Sequence, residues 1–318
     1  MKLLLIYTGG TIGMVQDPIT KSLIPGSIKP IEDFLKIKRF SRHVNIVSTQ
    51  KQIDSSNFGV TSFQEVATII EKNYTRYNGF LILMGTDTMA YISSLLSYCT
   101  LGLNKPIIFT GGQIPLLEKT SDSIRNLEGA ISGVLTHKFP NEVGIFFSEK
   151  WFRAVGVTKI DTEENDAYLV PNITRNFEET KAETFQIVKE MEAKIAVVKL
   201  IPFGNEEVLR IILESSTIDG IVLEVFGAGN IPSFSNKLKQ LFKDKIDKGF
   251  KVVIVSQCLK GQIALGKYKA SDSIKELGLI SGNAMTTESA VAKMMFLHHK
   301  KLNSQEYQFF FENSLKGE

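Results

Sequence analysis

The sequence predicts an α/β protein built as two α/β domains, a larger N-terminal one on a mixed, largely parallel sheet and a smaller, Rossmann-like C-terminal one. Three observations carry this expectation. Short apolar runs that read as buried strands alternate with amphipathic helical stretches along the chain, the pattern of a βα series. Two of those runs, Leu3 to Tyr7 and Phe80 to Met84, hand over to loops rich in glycine and threonine. Between Arg175 and Lys194 the composition shifts, with nine of twenty residues charged, as in an exposed connector. The expected organisation is an N-terminal domain over 1–180, a linker over 181–194 and a C-terminal domain over 195–318.

Taken in order, the first strand, Leu3 to Tyr7, ends at Gly9-Gly10. Its apolar run is too short and lacks the small-residue cleavage site of a signal peptide. Val15 to Pro30 is polar, holds three prolines and shows no period, so it predicts a mobile surface loop. A strand near Val44 to Ser48 follows. Thr61 to Tyr77 reads as a helix, with Phe63, Val66, Ala67, Ile70 and Tyr74 on one face and Thr61 and Gln64 at capping-box spacing. Then come strand Phe80 to Met84, a helix from Thr88 to Leu101, strand Pro106 to Thr110, a helix from Ser121 to Thr136 and strand Glu142 to Ser148. The second series predicts strands at Ile195 to Leu200, Gly220 to Val225 and Lys251 to Ser256. Helices are expected near Asn205 to Ser215 and Phe234 to Lys248, with a last one over Thr287 to His298.

Composition narrows the function classes. The 318 residues are 43% hydrophobic and 22% charged, as in a globular protein, and the net charge of +3 is too small to argue for nucleic acid. No apolar run is long enough to span a bilayer. Cys99 and Cys258 form neither a metal-ligand spacing nor a disulfide framework, and they read as reduced thiols of a cytosolic protein. His298 and His299 sit beside Lys300 and Lys301, which suits a solvated face.

The chemistry concentrates in the two strand-end loops. Thr8-Gly9-Gly10-Thr11-Ile12-Gly13 and Gly85-Thr86-Asp87-Thr88 lie where open α/β sheets bind ligands. The glycines allow backbone amides to approach a ligand. A threonine hydroxyl is a poor nucleophile and needs a base and oxyanion donors, while Asp87 suits an ammonium group or an orienting role toward a lysine. Taken alone, a Gly-Gly-Thr loop is more often a tight turn or a phosphate loop. It matches neither the Walker pattern nor the dinucleotide fingerprint. Gly227-Ala228-Gly229-Asn230 reads as a simple turn, and Asp54-Ser55-Ser56 alone reads as a helix cap.

In combination, Tyr7-Thr8-Gly9-Gly10-Thr11-Ile12-Gly13-Met14 and Met84-Gly85-Thr86-Asp87-Thr88-Met89-Ala90-Tyr91 closely resemble the two signatures of bacterial type I (cytoplasmic) L-asparaginases. Further matches fall in order at Ile53-Asp54-Ser55-Ser56, Lys105 to Gly111 with Gln113-Ile114-Pro115, Thr158-Lys159 and Ser256-Gln257-Cys258. The resemblance spans essentially the whole chain. It implies hydrolysis of L-asparagine to L-aspartate and ammonia, with Thr11 as nucleophile forming a β-aspartyl ester. Thr86, Asp87 and Lys159 would form a second triad. Asp87 would also take the substrate α-ammonium and Ser55 its α-carboxylate, with Asp54, Ser56, Gly10 and Gly85 completing the binding site. It implies an active site between the two domains, assembly as a homodimer or homotetramer, a cytoplasmic location, and no metal or organic cofactor.

The sequence departs from that family at several points. Val15 to Ser27 lacks the tyrosine that meets the nucleophile in many relatives. Leu23 stands nearest its position, which leaves Thr20 and Ser22 as candidate substitutes. Met84 replaces a histidine, Gly112 replaces a serine, and Arg153-Ala154-Val155-Gly156-Val157 replaces an Arg-Gly-Asn-Arg stretch before Lys159. Some relatives carry an allosteric asparagine site with a cysteine matching Cys258 and an arginine. Glu224 stands at the arginine position, so the same effector site is not expected. Two other readings compete with an active asparaginase. One is the asparaginase-like subunit of a tRNA-dependent amidotransferase, expected to carry an extra N-terminal domain. The other is an asparagine or aspartate sensor without turnover.

Overall fold

A computed structural model of the chain describes residues 1–172, 184–264 and 276–318. Among these, 1–170 and 184–189 form one compact unit, and 171–172, 190–264 and 276–318 form a second.

The first unit begins with β1 (Leu3–Gly9), β2 (Met14–Gln16), β3 (Leu23–Pro25), α1 (Lys29–Ile37), β4 (Val44–Ile53) and α2 (Val60–Asn73). It continues through β5 (Gly79–Leu83), α3 (Met89–Cys99), β6 (Thr100–Leu101), β7 (Ile107–Thr110), α4 (Ser123–Leu135) and β8 (Val143–Phe147). It closes with β9 (Lys150–Arg153), β10 (Thr158–Lys159), β11 (Tyr168–Leu169) and β12 (Gln186–Ile187). The main sheet runs β4-β1-β5-β7-β8-β9. Its first five strands are parallel and β9 is antiparallel to β8, so the sheet is mixed as expected. Counting only the parallel strands in chain order gives 2-1-3-4-5. The order reverses at β1, and in such sheets ligands bind beyond the carboxyl ends of the strands at the reversal. Leu3, Leu5, Tyr7, Leu81, Leu83 and Ile108 alternate onto one sheet face and pack with Ile31, Phe34 and Leu35 of α1 and Leu127, Ala130, Ile131 and Val134 of α4.

The second unit contains β13 (Ile195–Lys199), α5 (Asn205–Glu214), β14 (Gly220–Val225), α6 (Asn236–Asp247), β15 (Lys251–Ser256), β16 (Ile280–Ser281), α7 (Thr287–His299) and α8 (Ser304–Glu312). Its sheet, β13-β14-β15-β16, is wholly parallel. Leu209 and Leu213 of α5 and Leu238 and Phe242 of α6 pack with Ile221, Leu223, Val252 and Ile254. The Gly227–Asn230 segment is a tight turn closed by the Phe226–Asn230 bridge.

Several expectations need correcting. The segment expected as a mobile loop forms the β2–β3 hairpin. Its turn is held by Asp17, whose carboxylate accepts the Ile19 and Thr20 N–H groups at 2.9 and 2.7 Å, an Asx-type closure. The capping box at Thr61 and Gln64 does not form. The helix starts at Val60 with Gly59 as N-cap, which places Thr61 inside the first turn, and Gln64 donates instead to the Lys189 carbonyl. The part of the expected connector that is described is packed, not free. The Phe185 ring stacks on Tyr74 with centroids 3.5 Å apart, β12 pairs with β6, and Lys189 bridges to Glu71 at 2.6 Å. Residues 175–183 of that connector lie outside the described residues. Thr287 to His298 is not the last helix, because α8 follows it with a complete capping box from Asn303 and Glu306.

Candidate active site

Each candidate segment sits at the carboxyl end of a parallel strand around the reversal point. Gly9, the last residue of β1, pairs with Ile53 at the end of β4. Gly10 has φ +88, and a Cβ on it would fall 2.2 Å from the Gly85 nitrogen. The loops after β1 and β5 therefore touch backbone to backbone, an approach only glycine permits. Gly85 closes the third side: a Cβ there would lie 2.7 Å from Ser55 Oγ. Thr88 adds a tie, donating its hydroxyl to the Ser55 carbonyl at 2.8 Å. Three strand-end loops carrying Gly10–Thr11, Asp54–Ser56 and Gly85–Asp87 thus converge.

Lys159 reaches the same place from β10. Its ammonium donates to Thr86 Oγ1 at 2.8 Å and to Asp87 Oδ1 at 2.6 Å. The Lys159 side chain is 14% exposed, whereas Asp87 is 66% exposed. The lysine is walled in and directed at its two partners, while most of the aspartate stays open to an incoming group. Thr86 itself is buried.

Gln113 fixes the direction of the Thr86 proton. Its amide nitrogen donates to the Asp161 carbonyl at 3.4 Å, which leaves Oε1 facing Thr86 Oγ1 at 3.1 Å. A carbonyl can only accept, so the Thr86 hydroxyl accepts from Lys159 and donates to Gln113. The loop carrying Gln113 is anchored by buried Asp122, whose two carboxylate oxygens accept the N–H groups of Gln113 and Ile114 at 3.0 and 2.9 Å. Tyr168 stands directly across the β10–β11 ladder from Lys159 and donates its hydroxyl to the Thr86 carbonyl at 2.6 Å. Burial pushes the Tyr168 phenol well above its ordinary range, and the Asp87 charge adds to that.

The Asp54–Ser56 turn acts as a cap as well as a wall. Asp54 accepts the Ser56 N–H and the Ser56 hydroxyl, both at 2.8 Å, and these bonds pull its carboxyl below the usual carboxylate range. Ser55 lies buried between its exposed neighbours, with its Oγ beside Gly85. Thr11 opens a 3-10 turn, Thr11–Gly13, and is partly exposed. Its hydroxyl finds no hydrogen-bond partner among the described residues. Thr20 and Ser22, the candidate substitutes for the missing tyrosine, bond to each other at 2.8 Å within the hairpin turn. Thr20 also stays tied to Asp17 there.

Sequence reasoning thus names Thr86, Asp87, Lys159, Ser55, Gly10 and Gly85 as neighbours. It assigns no role to Gln113 or Tyr168, which the fold brings onto Thr86. Gln113 stands in one of the matched stretches, but Tyr168 has no local signature. Among the described residues, no group of three or more His, Cys, Asp or Glu side chains is placed to hold a metal ion. Glu224, where the same effector site is not expected, accepts the Thr287 hydroxyl at 2.7 Å.

The convergence agrees with comparison to known proteins. Residues 2–190 match the model of the asparaginase N-terminal domain, and residues 194–311 match that of the glutaminase/asparaginase C-terminal domain. The chain is 31% identical to L-asparaginase 1 of Escherichia coli strain K12, over 98% of this chain and 96% of that one. The solved L-asparaginase I of Vibrio cholerae superposes with a TM-score of 0.86 at 30% identity, covering 100% of this chain and 98% of the other. The thermostable L-asparaginase of Thermococcus kodakarensis superposes with a TM-score of 0.88 at 26% identity, covering 100% and 99%. Strand-end threonine loops, a lysine-bridged Thr–Asp pair and a two-domain match along nearly the full length all lead to one assignment: the chain belongs to the asparaginase family of amidohydrolases.

Proposed function

We propose that this protein hydrolyses L-asparagine to L-aspartate and ammonia, with Thr11 as nucleophile and the Thr86–Asp87–Lys159 triad as its proton-handling and substrate-anchoring partner. The observation that carries this reading is the pair of bonds from Lys159 to Thr86 and Asp87 at the sheet's reversal point. Attack of Thr11 Oγ on the side-chain amide carbon forms a C–O bond. The hydroxyl proton passes to the leaving nitrogen, the C–N bond breaks, and ammonia departs from a β-aspartyl ester. Water directed by Thr86 and Lys159 then cleaves the ester, releasing aspartate and restoring Thr11. The exposed face of the Asp87 carboxylate suits the substrate α-ammonium, and Ser55 suits its α-carboxylate. The negative charge of Asp54 is engaged by Ser56, which supports a wall role for that turn. Backbone N–H groups of the glycine loops are the available oxyanion donors. Assembly as a homodimer or homotetramer and a cytoplasmic location belong to the same reading. Among the described residues, no helix is long and apolar enough to cross a membrane.

The test is ammonia release by the purified protein from L-asparagine and, separately, L-glutamine. Turnover of asparagine is expected, with a clear preference in kcat/KM over glutamine, whose extra methylene is worth roughly 1–3 kcal/mol in a fitted pocket. Thr11→Val and Lys159→Met should each abolish turnover. Undiminished turnover in either variant removes that residue from the mechanism. Calorimetry showing asparagine or aspartate binding without ammonia release selects the sensor reading.

A further inference from the structure

We propose that Tyr168 is a positioning residue for the reaction, holding the Thr86 main chain so that its hydroxyl meets Lys159. This rests on the reading of Thr86 and Lys159 as part of the reactive centre. Thr86 lies in the irregular stretch between β5 and α3, where no sheet or helix hydrogen bonding fixes its carbonyl. The group that does so is the Tyr168 hydroxyl, at 2.6 Å. The arrangement is economical in sequence and rigid in space. Lys159 and Tyr168 are directly opposed in the two-residue β10–β11 ladder, so one rung grips Thr86 at both its hydroxyl and its carbonyl. The ladder is extended by the Ile160 N–H bonded to the Ala167 carbonyl at 2.8 Å.

Tyr168 has the properties of a strut. It is 3% exposed, and its ring meets Phe147 edge-on with centroids 5.1 Å apart, with Phe152 at 6.5 Å. Its phenol stays protonated because burial and the nearby Asp87 carboxylate both oppose ionisation. It is therefore a donor only, neither base nor nucleophile, and acts through Thr86. Once the hydroxyl is removed, the Thr86 carbonyl loses a donor that the packed ring environment does not replace. The peptide between Thr86 and Asp87 can then rotate. Such a rotation moves the Thr86 hydroxyl off Lys159, while Asp87 keeps its own bond to Lys159, and small misplacements of a reactive hydroxyl are costly to rate.

The experiment compares the parent protein with Tyr168→Phe, Thr86→Ala and the double variant, by steady-state ammonia release and thermal unfolding. Tyr168→Phe retains the ring and its packing, so the fold should persist with an unfolding midpoint within a few degrees of the parent. Expected is a fall in kcat of about tenfold or more with KM for L-asparagine within about twofold, the signature of an interaction felt in the transition state. In the Thr86→Ala background, adding Tyr168→Phe should change the residual rate less than twofold, because the strut then has no hydroxyl left to aim. Unchanged kcat in an active, folded Tyr168→Phe protein overturns the role. So does a lower midpoint with kcat intact, which marks packing alone, or equal fold losses in both backgrounds. A parent protein that releases no ammonia from asparagine overturns the asparaginase reading and this role with it. The parent's activity therefore separates the two failures.

Discussion

Thr86 uses its hydroxyl in both directions, accepting from Lys159 and donating to Gln113, while its carbonyl accepts from Tyr168. The bonding describes a resting state in which Lys159 is an ammonium and the Thr86 proton is directed away from it. For Lys159 to receive that proton, the ammonium must first pass one on, and the Thr86 hydroxyl must turn from Gln113. In the proposed mechanism Lys159 handles a proton, and Lys159→Met removes the amine with its bonds to Thr86 and Asp87 while keeping most of the stem, so the variant tests the amine and not the packing. We expect kcat to fall by about a thousandfold or more, within the range for a lost general acid–base group, in an ammonia-release assay. Lys159→Arg should not restore it, because a guanidinium does not deprotonate. At this scale the sequence is legible where local motifs exist. Thr11, Thr86 and Asp87 stand in octapeptides, and Lys159 is readable only through family resemblance. Tyr168 is not readable, since its importance arises from lying across a ladder from Lys159, a relation without a local pattern.

Strand ends and their turns carry the next level of argument. The approach of the Gly10 loop to Gly85 is closer than any side chain allows. Gly10→Ala would place a methyl 2.2 Å from the Gly85 nitrogen at a backbone angle of φ +88. Left-handed strain alone costs about 1–3 kcal/mol. The clash is with backbone, which cannot rotate away as a side chain can. A lower unfolding midpoint and loss of ammonia release are expected together. The Asp54 turn is a gentler case. Asp54→Ala removes an N-cap and should cost about 1 kcal/mol in a denaturant titration, whereas Asp54→Asn, another good cap, should cost less. The carboxyl of Asp54 is lower in the folded protein than in the unfolded chain. Its contribution is therefore present above the ordinary carboxylate range of about 4 and is lost as pH falls below it. That pH dependence should vanish in Asp54→Asn. Element types were largely legible: Gly220–Val225 and Lys251–Ser256 form strands with the expected bounds. The β2–β3 hairpin was hidden because its strands are three residues each and its closure depends on one Asx turn. Helix α8 was missed because only Tyr307 and Phe311 of its nine residues are buried, too few to show a period.

At the scale of the molecule, alternation of apolar and amphipathic stretches revealed the α/β class, but it could not reveal strand order. Placement of β4 and β5 on opposite sides of β1 is a property of long-range pairing. That placement, however, turns two distant threonine loops into one site. The second unit depends on a different long-range device. Lys293 of α7 is fully buried, and its ammonium donates to the carbonyls of Phe311 and Asn313, both at 2.8 Å, and to the Glu318 carboxylate. Glu318 in turn accepts the Leu315 and Lys316 N–H groups at 3.0 and 2.8 Å. One cation thus gathers the end of α8 and the turn that follows it onto α7. Burial pulls the Lys293 ammonium down and the Glu318 carboxylate opposes that, so the charge survives only while its partners are in place. Lys293→Met preserves the apolar stem but strands a buried carboxylate and two carbonyls. Breaking such a pair costs about 3–5 kcal/mol. Glu318→Gln on its own should also destabilise, because it leaves the ammonium without a counter-charge. The double variant Lys293→Met with Glu318→Gln should lose clearly less than the sum of the two single losses, since no unpaired charge then remains. Thermal unfolding of the four proteins measures this cycle. Additive losses would mean that Lys293 and Glu318 contribute separately and that packing, not the ion pair, secures this end of the second unit.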